Sequence, residues 1–184
     1  YAPRNQTPTR ILIKSIAFHG AKLKMTNYSD FFIRNCNFLD SSKSVIIVYK
    51  MLGKTLISIS QSTFKNNTKC VIISPHKVIT KDPFLLNVYI NSNTFTSDGF
   101  GDCNKCKKSA FTLLRSGMLD ETVILHIRNV SFTKSFGHFL YLGYLNNKHQ
   151  KRKKGYHPDP DRFYTKLFII NSTFQDNQSP LGVL

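Results

Sequence analysis

The chain has 184 residues, carries 26 Lys+Arg against 10 Asp+Glu for a net charge of +16, and is 41% hydrophobic with 15 Phe and no Trp. That is ample material for the core of one compact unit, and no apolar run is long enough to span a membrane. The basic excess favours acidic partners, whether sulfated or uronate polysaccharide, an anionic lipid surface or nucleic acid; it suits a merely solubilising surface equally well, since net charge governs association and not fold.

In chain order, residues 1–10 are polar with Pro3 and Pro8 and read as a lead-in loop. A segment then recurs six times: ILIKSIAF (11–18), FFIRNCNF (31–38), ISISQSTF (57–64), VYINSNTF (88–95), LHIRNVSF (125–132) and LFIINSTF (167–174). Every copy ends in Phe: Phe18, Phe38, Phe64, Phe95, Phe132 and Phe174. Five residues earlier stands Ile13, Ile33, Ile59, Ile90, Ile127 or Ile169, and two before that another apolar residue. Three before the Phe comes Ser15, Asn35, Gln61, Ser92, Asn129 or Asn171, always small or amide-bearing. The alternation predicts a strand burying one face, broken by a bend at the polar pair before Phe turns inward again. Asn129 and Asn171 share their position with Asn35, where a stacked amide ladder would bury them.

Between the copies lie plainer apolar runs: 23–25, VIIVY (45–49), CVIIS (70–74), AFTLL (110–114) and HFLYL (138–142). Each predicts a second strand per repeat, with a weaker third around 51–52, 78–79 and 118–119. Continuous apolar runs suit parallel strands shielded from solvent. The spacing of the Phe residues grows from 20 residues between Phe18 and Phe38 to 42 between Phe132 and Phe174. Invariant strands joined by variable excursions describe a solenoid whose copies share one core. A helical repeat would need apolar residues at three and four spacing, which these segments lack.

This pattern resembles the right-handed parallel β-helix, or pectin-lyase-like fold. The I-x-N-x-x-F rungs are similar to repeats of polymorphic outer-membrane proteins and of extracellular animal β-helix proteins. The resemblance implies an all-β, right-handed parallel β-helix solenoid of about six coils over residues 1–184. Because the sequence stops in an apolar run, LGVL, a piece of a longer solenoid is expected. The fold serves lyases, hydrolases, adhesins and scaffolds alike, so it leaves function open.

Two insertions interrupt the repeat. SDGFGDCNKCKKS (97–109) holds Cys103 and Cys106, expected to form a local disulfide; a zinc site would need two further ligands at matching spacing, and Cys36 and Cys70 are single residues in strands. Residues 146–162 hold a basic run with Lys151, Arg152, Lys153 and Lys154, either a solvated loop or a heparin-binding patch. Sequons at Asn5, Asn27, Asn66, Asn129, Asn171 and Asn177 point outside the cell, with Asn27 and Asn66 the better glycan acceptors.

No two acidic residues fall in register on adjacent rungs, and the histidines show no ligand or triad spacing, so the chain reads against an enzyme. No metal or cofactor is expected. The residues between the inward pairs form two outward columns. One runs Leu12, Phe32, Ser58, Tyr89, His126, Phe168; the other runs Lys14, Arg34, Ser60, Asn91, Arg128, Ile170. Lys14, Arg34 and Arg128 beside Phe32, Tyr89 and His126 would suit an acidic glycan. An apolar strip of this kind is also what loops or another domain would cover. The expected function is an extracellular scaffold or recognition module with acidic polysaccharide or an extracellular protein as partner, and no nucleic acid. The alternative is a fragment of a polysaccharide lyase or hydrolase whose carboxylates lie outside this piece.

Overall fold

A computed structural model describes residues 10–26, 30–49, 54–74, 84–97, 109–115, 121–144 and 163–178. The described chain is a parallel β-helix of six coils. The first coil comprises β1 (Arg10–Lys14), β2 (Ala17–His19) and β3 (Leu23–Thr26); the second comprises β4 (Asp30–Arg34), β5 (Asn37–Leu39) and β6 (Ser44–Tyr49). The third holds β7 (Lys54–Ser60), β8 (Thr63–Lys65) and β9 (Lys69–Ser74), and the fourth β10 (Phe84–Asn91), β11 (Thr94–Thr96) and β12 (Ser109–Arg115). The fifth holds β13 (Glu121–Arg128), β14 (Ser131–Thr133) and β15 (His138–Tyr144), and the sixth β16 (Phe163–Ile170) and β17 (Thr173–Gln175). Equivalent strands stack into three parallel sheets, β1-β4-β7-β10-β13-β16, β2-β5-β8-β11-β14-β17 and β3-β6-β9-β12-β15.

Each eight-residue repeat therefore supplies two strands on different sheets. The bend between them is made by the polar position: Ser15, Asn35, Gln61, Ser92, Asn129 and Asn171 all have φ between 48° and 56°. A second bend follows two residues after each Phe, at Gly20, Asp40, Asn66, Ser97, Lys134 and Asp176, again with positive φ throughout. The left-handed region carries a steric cost for residues with a Cβ, which Asn and Asp tolerate best. Backbone hydrogen bonds run on either side of the bend, while the N–H groups of Cys36, Ser62 and Val130 within it donate to the side chains of Ser62, Asn93 and Ser172 on the next coil. Asn35 N donates to Ser60 O at 3.1 Å and Gln61 N to Asn91 O at 3.0 Å, while Thr63 N donates to Cys36 O at 2.9 Å. The ladder thus continues around the corner from coil to coil.

The inward columns are in strict register: Ile13, Ile33, Ile59, Ile90, Ile127 and Ile169 pair strand to strand. Ile33, Ile59, Ile90 and Ile127 are fully buried. On the second sheet Phe18, Phe38, Phe64 and Phe95 stack with centroids 4.8, 4.9 and 4.6 Å apart. The ladder breaks at Phe132, where Phe139 from β15 wedges edge-on between Phe95 and Phe174. Phe139 stands between His138 and Leu140, whose partners on β12 are Ser109 and Phe111, with the small buried Ala110 between them.

Expectation and structure differ at the amides. Asn35, Asn129 and Asn171 are exposed, because the left-handed turn swings their side chains out of the core; Asn35 Nδ2 donates to Ser15 Oγ at 3.2 Å on the outside. The buried amides are Asn67 and Asn93, each beside a bend. Asn93 accepts from Ser62 N at 2.9 Å and donates to Ile59 O at 2.7 Å. Asn67 does the same with Ser41 N and Phe38 O, and Asn177 with Ser135 N and Phe132 O. These residues splice the backbone of one coil to the next. Cys36 and Cys70 are separate buried thiols. The expected third-strand positions, Cys103 and Cys106, Asn27 and the run Lys151, Arg152, Lys153 and Lys154 lie outside the described residues.

Candidate functional site

Strand parity gives the first sheet an inner and an outer face, and the outer face gathers the chemistry. Its middle column pairs Leu12 with Phe32, Phe32 with Ser58, Ser58 with Tyr89, Tyr89 with His126 and His126 with Phe168. Tyr89 and His126 stack at 4.7 Å and 1°, and His126 and Phe168 at 4.8 Å and 8°. Leu12 is 65% exposed, Phe168 41% and Tyr89 38%, so a substantial apolar strip meets solvent.

Two residues further along each strand, about 6.6 Å away, runs the polar column Lys14, Arg34, Ser60, Asn91, Arg128 and Ile170. Lys14 and Arg34 are direct neighbours across β1 and β4. Arg128 lies three strands beyond Arg34, about 14 Å by the inter-strand spacing. None of the three forms an ion pair among the described residues, whereas Arg10 is held by Asp30 at 2.9 Å and His19 by Asp40 at 2.9 Å. The face thus sets three cations, without an ion pair among the described residues, on the same side as an aromatic row.

The row is interrupted at β7, where Ser58 and Ser60 stand in place of large side chains. They floor an open groove of about 400 Å³ edged by Leu12, Phe32, Arg34, Gln61, Asn91 and Ser92. Gln61, at the bend, accepts from Arg34 Nε at 2.9 Å, and both residues line the groove. Sequence reasoning placed Lys14, Arg34, Arg128, Phe32, Tyr89 and His126 on one face, and that is where they lie. It missed Gln61, whose side chain meets Arg34 only because the bend of one coil follows the strand of the previous one. It also missed the column on the other side of the aromatic row, in which Arg10, Asp30, Leu56, Asn87, Ile124 and Lys166 succeed one another in register.

Asn66 lies away from this face, at the second bend, with its exposed amide donating to Asp40 Oδ1 at 2.8 Å. A glycan there would leave the first sheet open. Among the described residues no helix is long and apolar enough to cross a membrane. No family model, no curated protein and no solved structure matches the chain.

Proposed function

We propose that this chain is an extracellular recognition module of the pectin-lyase-like β-helix type, which binds acidic polysaccharide on the outer face of its first sheet. The observation that carries the reading is the juxtaposition of the Tyr89–His126–Phe168 stack with Lys14, Arg34 and Arg128 on the same face. Sugar rings lay their apolar faces on aromatic rings, and guanidinium groups pair with carboxylate or sulfate in bidentate geometry. The net charge of +16 adds long-range attraction for a polyanion. The sequons favour an extracellular location, where such chains occur, and the β-helix relation rests on the I-x-N-x-x-F rungs. The face binds and orients its ligand without a chemical step.

The test is titration of heparin and of polyuronate into wild type, Arg34→Ala/Arg128→Ala, and a variant with Lys151, Arg152, Lys153 and Lys154 neutralised. The double variant is expected to lose at least tenfold in affinity, equivalent to about 1.4 kcal/mol. Loss confined to the loop variant would move the site to the 146–162 insertion, and no binding by wild type would remove the glycan reading.

A further inference from the structure

The aromatic column on the first sheet has a vacancy of a particular size. Phe32 on β4 and Tyr89 on β10 both pair with Ser58 on β7, so they lie two strand spacings apart, about 9.6 Å. Along the same column, consecutive rings stand 4.7 and 4.8 Å apart. A ring placed midway over Ser58 would therefore meet Phe32 and Tyr89 at the spacing the column already uses. Serine is too short to occupy that space, and the groove of about 400 Å³ opens over Ser58 with Phe32 at its edge.

We propose that this vacancy is a subsite for one uronate residue of an acidic polysaccharide, seated between Phe32 and Tyr89 as the missing rung of the aromatic row. The assignment rests on the proposed glycan-binding role and locates its specificity. The polar edge of the groove sets the substituents that the ring must carry. Arg34 lines the groove, and with its Nε engaged by Gln61 its terminal nitrogens remain as donors that a carboxylate can match. Ser60 and Asn91 lie next in the same polar column and supply donors and acceptors for ring hydroxyls. A purely apolar ring would leave these groups without a ligand partner, and a bare anion would leave unused the rings of Phe32 and Tyr89 that flank Ser58 in the register.

The experiment fills the vacancy. Ser58→Phe continues the aromatic row with a residue type the column already accepts at Phe32 and Phe168. It is expected to fold with a thermal midpoint at or above that of wild type, and to bind unsulfated polyuronate at least tenfold more weakly. Ser58→Ala, which keeps the space, is expected to bind as wild type does. Tyr89→Ala removes the ring that flanks Ser58 on β10 and is read in the same titration, with an expected loss of about tenfold; it keeps the test decisive if the Phe variant fails to fold. Polyuronate binding by Ser58→Phe or Tyr89→Ala equal to wild type, with Arg34→Ala/Arg128→Ala still impaired, overturns the subsite and leaves the wider glycan face standing. Wild type without affinity for polyuronate or heparin overturns both. A single-stranded oligonucleotide that binds more tightly than polyuronate and is excluded by Ser58→Phe overturns the sugar assignment.

Discussion

Asparagine plays two opposite parts in this coil, and the adjacent Asn66 and Asn67 show both, one exposed at a bend and the other buried. At the bend, Asn35, Asn129 and Asn171 adopt the left-handed conformation and point outward. Beside the bend, Asn67 and Asn93 point inward, and each satisfies one N–H and one C=O of the preceding coil. The repeat alignment exposed the bend column, because six residues of similar type recur there. It hid the inner column, where Ile16, Cys36, Ser62, Asn93, Val130 and Ser172 alternate between apolar and polar types. A small apolar residue fills such a corner, and a hydroxyl or amide ties it to the neighbouring coil, so chemistry varies while space does not. Asn93→Ala should strand the Ser62 N–H and the Ile59 carbonyl away from water. The expected cost is about 2–6 kcal/mol, at about 1–3 kcal/mol for each of the two buried groups left unpaired, read from denaturant midpoints. A variant as stable as wild type would show that these hydrogen bonds do not hold the coils together.

At the scale of the element, parity made the first-sheet strands legible: apolar residues at alternate positions require a buried face, and Ile33, Ile59 and Ile90 occupy neighbouring rungs as expected. The second-sheet strands were legible only as a bend and an inward Phe. Thr63–Lys65 and its equivalents are three residues long, too short for a periodic signal. Their pairing comes from stacking, with Phe64 held between Phe38 and Phe95. Nor could the break in that stack be read locally, since it depends on Phe139 from a different sheet. Removing three carbons from a fully buried rung, as in Ile90→Ala, should cost about 2–5 kcal/mol through lost burial and a residual cavity. Equilibrium unfolding checks it, and a change below 1 kcal/mol would mean that the column does not carry the core.

Taken whole, the molecule places its strongest chemical contrast on one flat outer face. The row of rings and the row of cations follow from the same register that aligns the isoleucines inside, because each outward column is fixed once the inward ones are. That is why the site residues could be assembled from sequence, while the groove over Ser58 could not. An absent side chain signals nothing until its neighbours are known to be large. The most direct measurement is a crystal structure with a short oligouronate. The account predicts the saccharide lying across β4, β7 and β10, with one ring between Phe32 and Tyr89 and a carboxylate paired to Arg34. Saccharide bound on the second or third sheet, or at the 146–162 insertion with the first-sheet face empty, would contradict it.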